Sequence, residues 1–191
     1  MMNNYVIFTD SGCDIPTETL EEWGVKHCNL TFTFDDSQKI YDNYELSSAE
    51  FYKKMRDGGV AKTAAVNVAG FKNIFEEDLK KGNDILYIGF SSGLSTTYNS
   101  ARLAAEELKE DYPDRKIIVV DTLSASAGLG LILYLAVQEK NKGAAIEEVA
   151  KFVEDTRLNL CHWFTVDDLV YLKRGGRISP TVAFVGGLLG V

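Results

Sequence analysis

Histidine and cysteine are scarce in this sequence of 191 residues: His27 and His162, and Cys13, Cys28 and Cys161. The cysteines are odd in number and far apart. That spacing argues against a disulfide framework or a zinc site and suits a reducing compartment, so a cytoplasmic location is expected. With so few soft ligands, no metal site and no cofactor are predicted. Cations are also in the minority, 20 against 28 acidic residues, for a formal net charge of −8. No Lys/Arg stripe offsets that balance, so nucleic-acid binding is not expected. No apolar run is long enough to span a bilayer; the most apolar stretch, 125–137, has the length of a core helix. The start of the sequence shows no basic stretch leading into a long apolar core, so no signal peptide is expected. Also missing are G-x-G-x-x-G after a strand, G-x-x-x-x-G-K-[ST], and the Asp-x-Asp spacing usual for a phosphoryl-transfer site. There is no internal repeat and no low-complexity segment.

What is present is a globular composition, 46% hydrophobic, in which strand-like and helix-like segments alternate. Strands are predicted at 5–9, 25–34, 84–90, 116–120 and 160–166. Helices are predicted after Pro16, from the capping box Ser47-Ser48-Ala49-Glu50 to Gly58-Gly59, and from Asn67 to about Lys81. Further helices are expected at 96–110, 124–140 and 145–159. The pattern predicts an α/β fold: a mostly parallel sheet with helices on both faces. In such sheets ligands bind beyond the carboxyl ends of the strands. The polar loops 9–12, 62–67, 91–96 and 121–126 lie in or near that position. An α/β domain over 1–165 is expected to carry the site. Residues 166–191 read as the start of a second, incomplete domain, because the apolar, glycine-rich stretch 182–191 has neither a cap nor a polar tail.

Two constellations carry chemistry. Ser91-Ser92-Gly93-Leu94-Ser95-Thr96-Thr97 follows a buried strand and opens a helix, where hydroxyls and helix-start N–H groups can receive a carboxylate or a phosphate. A Ser/Thr-rich helix cap is the plainer reading of the same residues. The stretch Gly89-Phe90-Ser91-Ser92-Gly93 also fits G-x-S-x-G, with Asp121 and His162 later in the order of a hydrolase triad. His162 sits in an apolar run, which weakens that alternative. After the first strand, Asp10 reads as a hydrogen-bonding organiser of its loop. Gly128-Leu129-Gly130 reads as a close-packing site.

The segment 164–179 contains a short apolar run, the acidic pair Asp167-Asp168, a short helix bearing Leu169 and Leu172, and the break Gly175-Gly176 followed by Arg177. It resembles a signature of the DegV family of bacterial lipid-binding proteins. Upstream segments are similar to that family too: Asp10-Ser11 with Asp14 and Pro16, Lys62-Thr63, Ser91-Ser92-Gly93-Leu94-Ser95-Thr96-Thr97-Tyr98, and Val120-Asp121-Thr122 with Ser126. The resemblance implies a protein that binds one long-chain fatty acid by its carboxylate and, in several bacteria, presents it to a fatty-acid kinase, with no catalysis of its own. By the same resemblance Thr63 and Ser92 are donors to the carboxylate, with Ser95, Thr96 and Ser11 close by. Arg177 is expected at the head-group rim or the kinase-facing surface. The chain departs from the family pattern at Ala64-Ala65-Val66 and at Thr96, where glycine is usual. The alternatives to a fatty-acid carrier are a serine hydrolase with Ser91 as nucleophile and a binder of a small phosphorylated metabolite.

Overall fold

A computed structural model describes residues 4–166, 168–179 and 182. It divides into two compact units, residues 1–160 and 161–191.

The first unit is built on four parallel strands: β1 (Tyr5–Asp10), β2 (Val25–Cys28), β6 (Asp84–Gly89) and β7 (Ile117–Asp121), in the order β2-β1-β6-β7. Every residue of β6 is buried, as expected for a central parallel strand with both faces covered. One face packs Ile7, Leu86, Ile88 and Val120 against α1 (Thr17–Glu22), α5 (Ser126–Asn141) and α6 (Ile146–Thr156). The other packs Phe8, Ile85 and Tyr87 against α3 (Val68–Leu79) and α4 (Thr97–Asp111). The chain leaves β1 for one edge of the sheet and β6 for the other. The carboxyl ends of β1 and β6 therefore form a topological switch point, the usual crevice for a ligand in this architecture.

The single strand predicted over 25–34 is two. After β2 the chain departs at Asn29-Leu30, where the Leu30 N–H donates to Ser11 Oγ at 3.0 Å and the Asn29 amide donates to both Asp42 oxygens at 2.9 Å. Thr31–Phe34 is β3 of a second, antiparallel sheet, ordered β4-β3-β5 with β4 (Tyr41–Asp42) and β5 (Ala61–Ala64). Alternation of aromatic and β-branched residues suits either sheet equally, so composition could not reveal the change. Phe32 stacks on Tyr41 at 5.1 Å and meets Phe51 of α2 (Ser48–Arg56) edge-on at 5.0 Å.

Helix starts follow the sequence closely. Ser47 and Glu50 close the predicted capping box, and Asn67 accepts from the Gly70 N–H at 2.8 Å. In α5, a Cβ on Gly130 would lie 2.6 Å from Ile15 Cδ1, so that glycine marks the close packing expected of it. In the second unit, α7 (Leu169–Arg174) ends where Gly175 and the left-handed Gly176 were expected to end it. The strand predicted at 160–166 is not formed; those residues carry no regular secondary structure. The apolar stretch 182–191 lies, apart from Val182, outside the described residues.

Candidate functional site at the switch point

At the end of β1, Asp10 is 0% exposed and its carboxylate receives three donors. Oδ1 accepts from the Gly12 N–H at 2.9 Å. Oδ2 accepts from the Phe90 N–H at 2.9 Å and from the Tyr87 hydroxyl at 2.5 Å. Burial raises the Asp10 pKa above its ordinary value, and the three hydrogen bonds oppose that shift by favouring the carboxylate. Burial, and then the neighbouring Asp10 charge, hold the Tyr87 phenol well above its usual range. Space is tight enough to require glycine: a Cβ on Gly12 would lie 2.6 Å from the Phe90 ring, and one on Gly89 would collide with the Tyr87 ring.

The loop after β6 is anchored through consecutive amides. The Phe90 N–H goes to Asp10, the Ser91 N–H to Ser124 O at 2.9 Å, and the Ser92 N–H to Asp121 Oδ1 at 3.2 Å. Gly93 N–H then donates to Ser91 Oγ at 3.2 Å, and the Leu94 and Ser95 N–H groups to Ser91 O at 3.0 and 3.2 Å. Thr97 N–H donates to Ser95 Oγ at 3.2 Å. The anion site expected from open helix-start amides is thereby narrowed. The amides of 90–95 and of Thr97 are occupied from within, while those of Thr96, Tyr98 and Asn99 at the head of α4 have no acceptor among the described residues and remain, with the exposed hydroxyls, as donors for a ligand.

The third loop supplies the remaining anchors. Asp121 Oδ1 also accepts from the Leu123 N–H at 3.0 Å, and Leu123 takes a left-handed backbone, φ 54°. Thr122 Oγ1 donates to Gly89 O at 2.8 Å and accepts from the Ser124 N–H at 3.2 Å. Ser126, exposed at the head of α5, also has a positive φ of 50°. Positive φ outside glycine concentrates at functional loops.

The predicted site residues fall into groups. Ser92 and Thr96 are exposed on the β6–α4 loop, with no hydrogen bond to either hydroxyl among the described residues. Ser95 Oγ, besides capping Thr97, shares a 2.9 Å hydrogen bond with Thr97 Oγ1. Ser11 is 1% exposed, and its oxygen takes the Leu30 N–H, so it holds the exit toward the second sheet. Thr63 is exposed on β5, paired with Phe32, rather than in a polar loop. Arg177 lies exposed in the second unit, where its Nη1 donates to Gly175 O at 2.6 Å.

The G-x-S-x-G geometry is unfavourable for a nucleophile. Ser91 is 7% exposed, its Oγ accepts from Gly93, and the next residue's N–H, the usual oxyanion donor, is held by Asp121. His27, the histidine of the first unit, is engaged with Asn29 at 2.7 Å. Among the described residues no group of three or more His, Cys, Asp or Glu side chains could hold a metal. Tyr87 is the site residue that the sequence did not disclose, because a tyrosine inside an apolar strand gives no sign of which buried group its hydroxyl reaches.

A family model described as "Uncharacterised protein, DegV family" matches residues 4–191. A DegV domain-containing protein of Clostridium perfringens is 46% identical over 192 residues, covering 100% of this chain and 66% of the relative. A DegV family protein from Thermus thermophilus, described by its fatty-acid binding, superposes with a TM-score of 0.82 at 33% identity, covering 97% of this chain and 65% of that one. A stearic-acid-binding protein from Eubacterium ventriosum superposes with a TM-score of 0.83 at 28% identity, covering 96% and 63%. The chain thus spans just under two thirds of the length of the relatives it matches. With nearly its whole length matched by the family model, the chain belongs to the DegV family.

Proposed function

We propose that this protein binds one long-chain fatty acid by its carboxylate at the carboxyl edge of the main sheet and presents it to a fatty-acid kinase, doing no chemistry itself. The observation that carries the reading is the β6–α4 loop, whose amides from Phe90 to Ser95 are held from within while the Ser92 and Thr96 hydroxyls stand exposed. Such a loop can hold an anion but has no activated nucleophile. The fatty-acid binding of the Thermus thermophilus and Eubacterium ventriosum proteins supports the same choice of ligand.

Energetics favour a carrier built this way. At roughly 0.8 kcal/mol per buried CH₂, an alkyl chain of about fourteen methylenes represents about 11 kcal/mol before association costs. Each hydrogen bond to the charged carboxylate adds about 1.5–3 kcal/mol. Thr63 and Ser92 are the proposed donors, with Ser95, Thr96 and Ser11 shaping the surroundings and Arg177 at the rim or the kinase-facing surface. Native mass spectrometry of the purified protein tests the reading. A co-purifying mass of one long-chain fatty acid is expected, together with no labelling by a fluorophosphonate probe. Stoichiometric labelling of Ser91 would replace the carrier with a hydrolase.

A further inference from the structure

The hydroxyls that face solvent on the β6–α4 loop are only as well placed as the backbone beneath them. That backbone is fixed from two sides. Ser124 O and Asp121 Oδ1 hold the Ser91 and Ser92 amides from the β7 side. From the β1 side the hold on this run of amides is Asp10, through the Phe90 N–H.

We infer that Asp10 is a positioning residue for ligand recognition, a clasp that joins the β1 and β6 loops and sets the direction of the Ser92 hydroxyl without touching the ligand. The inference rests on the proposed function. Asp10 has no exposed surface, so it acts through what it holds. Its two oxygens serve three donors: Gly12 and Phe90 on the two loops that straddle the switch point, and Tyr87 in β6 itself. Asparagine offers a single acceptor oxygen, so Asp10→Asn leaves Gly12 or Phe90 facing an NH₂ group. Gly12 reinforces the clasp sterically, because any side chain there drives into the Phe90 ring and the Asp10 carboxylate.

The test compares palmitate with its methyl ester on the full-length protein. Wild type is expected to prefer the acid by at least about tenfold, equivalent to about 1.4 kcal/mol. In Asp10→Asn the acid should weaken by about that factor while the ester holds within about twofold, so the preference collapses. Val149→Ala, on the buried face of α6, should lose stability yet keep the preference, which separates positioning from general destabilisation. Should Asp10→Asn fail to fold, Gly12→Ala, which disturbs the clasp from its other side, should show the same collapse. In wild type, hydrogen exchange at the Phe90 and Ser92 amides should be as slow as in β6. An undiminished acid preference in the folded variants, an equal loss for acid and ester, or fast exchange at those amides would overturn the assignment of Asp10. Failure of wild type to bind palmitate would overturn the proposed function instead.

Discussion

A carboxylate with no exposed surface is expensive to keep ionised, and Asp10 is retained with three donors around it and no cation among its hydrogen-bond partners. Its raised pKa fixes the sign of a pH effect. The folded state holds the Asp10 proton more tightly than the unfolded chain, so this residue's contribution is fully present below the ordinary value of 3.8. It is lost as pH rises through the higher folded value. Denaturant titrations from pH 3 upward should therefore show the stability advantage of wild type over Asp10→Asn shrinking as pH rises; an advantage that grows would contradict the raised pKa. Ser91 lends itself to a second residue-scale test. Its hydroxyl caps Gly93 and no base hydrogen-bonds it among the described residues, so Ser91→Ala should leave fatty-acid binding intact, and no esterase turnover should be present to lose. The cluster of hydroxyls was visible in the sequence, and so was the organising role of Asp10. Which hydroxyls turn inward was not, because Ser91 and Ser92 are identical side chains distinguished only by their anchors on Ser124 and Asp121.

Elements whose signals are local could be read directly. The capping box at Ser47, the Asn67 cap and the Gly175-Gly176 break each depend on a few consecutive residues, and each stands where the sequence put it. Elements defined by their partners could not. Residues 25–34 split between two sheets, 61–64 pair with β3 instead of forming a loop, and 160–166 pair with no strand among the described residues. Helix α2 turns this contrast into a prediction. None of its residues is fully buried, so its stability depends on its cap more than on packing. Ser47→Ala should cost about 1 kcal/mol, seen as faster hydrogen exchange across 48–56 with little change in the exchange of β6. Unchanged exchange in α2 would show that Phe51 packing alone holds the helix.

At the scale of the molecule, the parallel sheet, its two helical faces and the loop edge that collects Asp10, Ser91–Thr97 and Asp121–Ser126 were legible from alternation alone. The second sheet and the tyrosine clasp were not. Covering an alkyl chain on all sides takes more apolar surface than one edge of a sheet supplies, and relatives such as the Clostridium perfringens protein are about half as long again as this chain. We expect a version continued to that length to bind long-chain fatty acid much more tightly than the 191-residue chain, measured by calorimetry with light scattering alongside. Equal affinities from a clean monomer would show that these residues suffice to cover the alkyl chain. The central claim, that hydroxyls on the second sheet and on the β6–α4 loop hold the carboxylate, is tested most directly by titrating a long-chain fatty acid onto the Thr63→Val, Ser92→Ala double variant at the longer length. A folded variant weakened at least about tenfold, equivalent to about 1.4 kcal/mol, is the predicted result, and wild-type affinity in a folded double variant would contradict it.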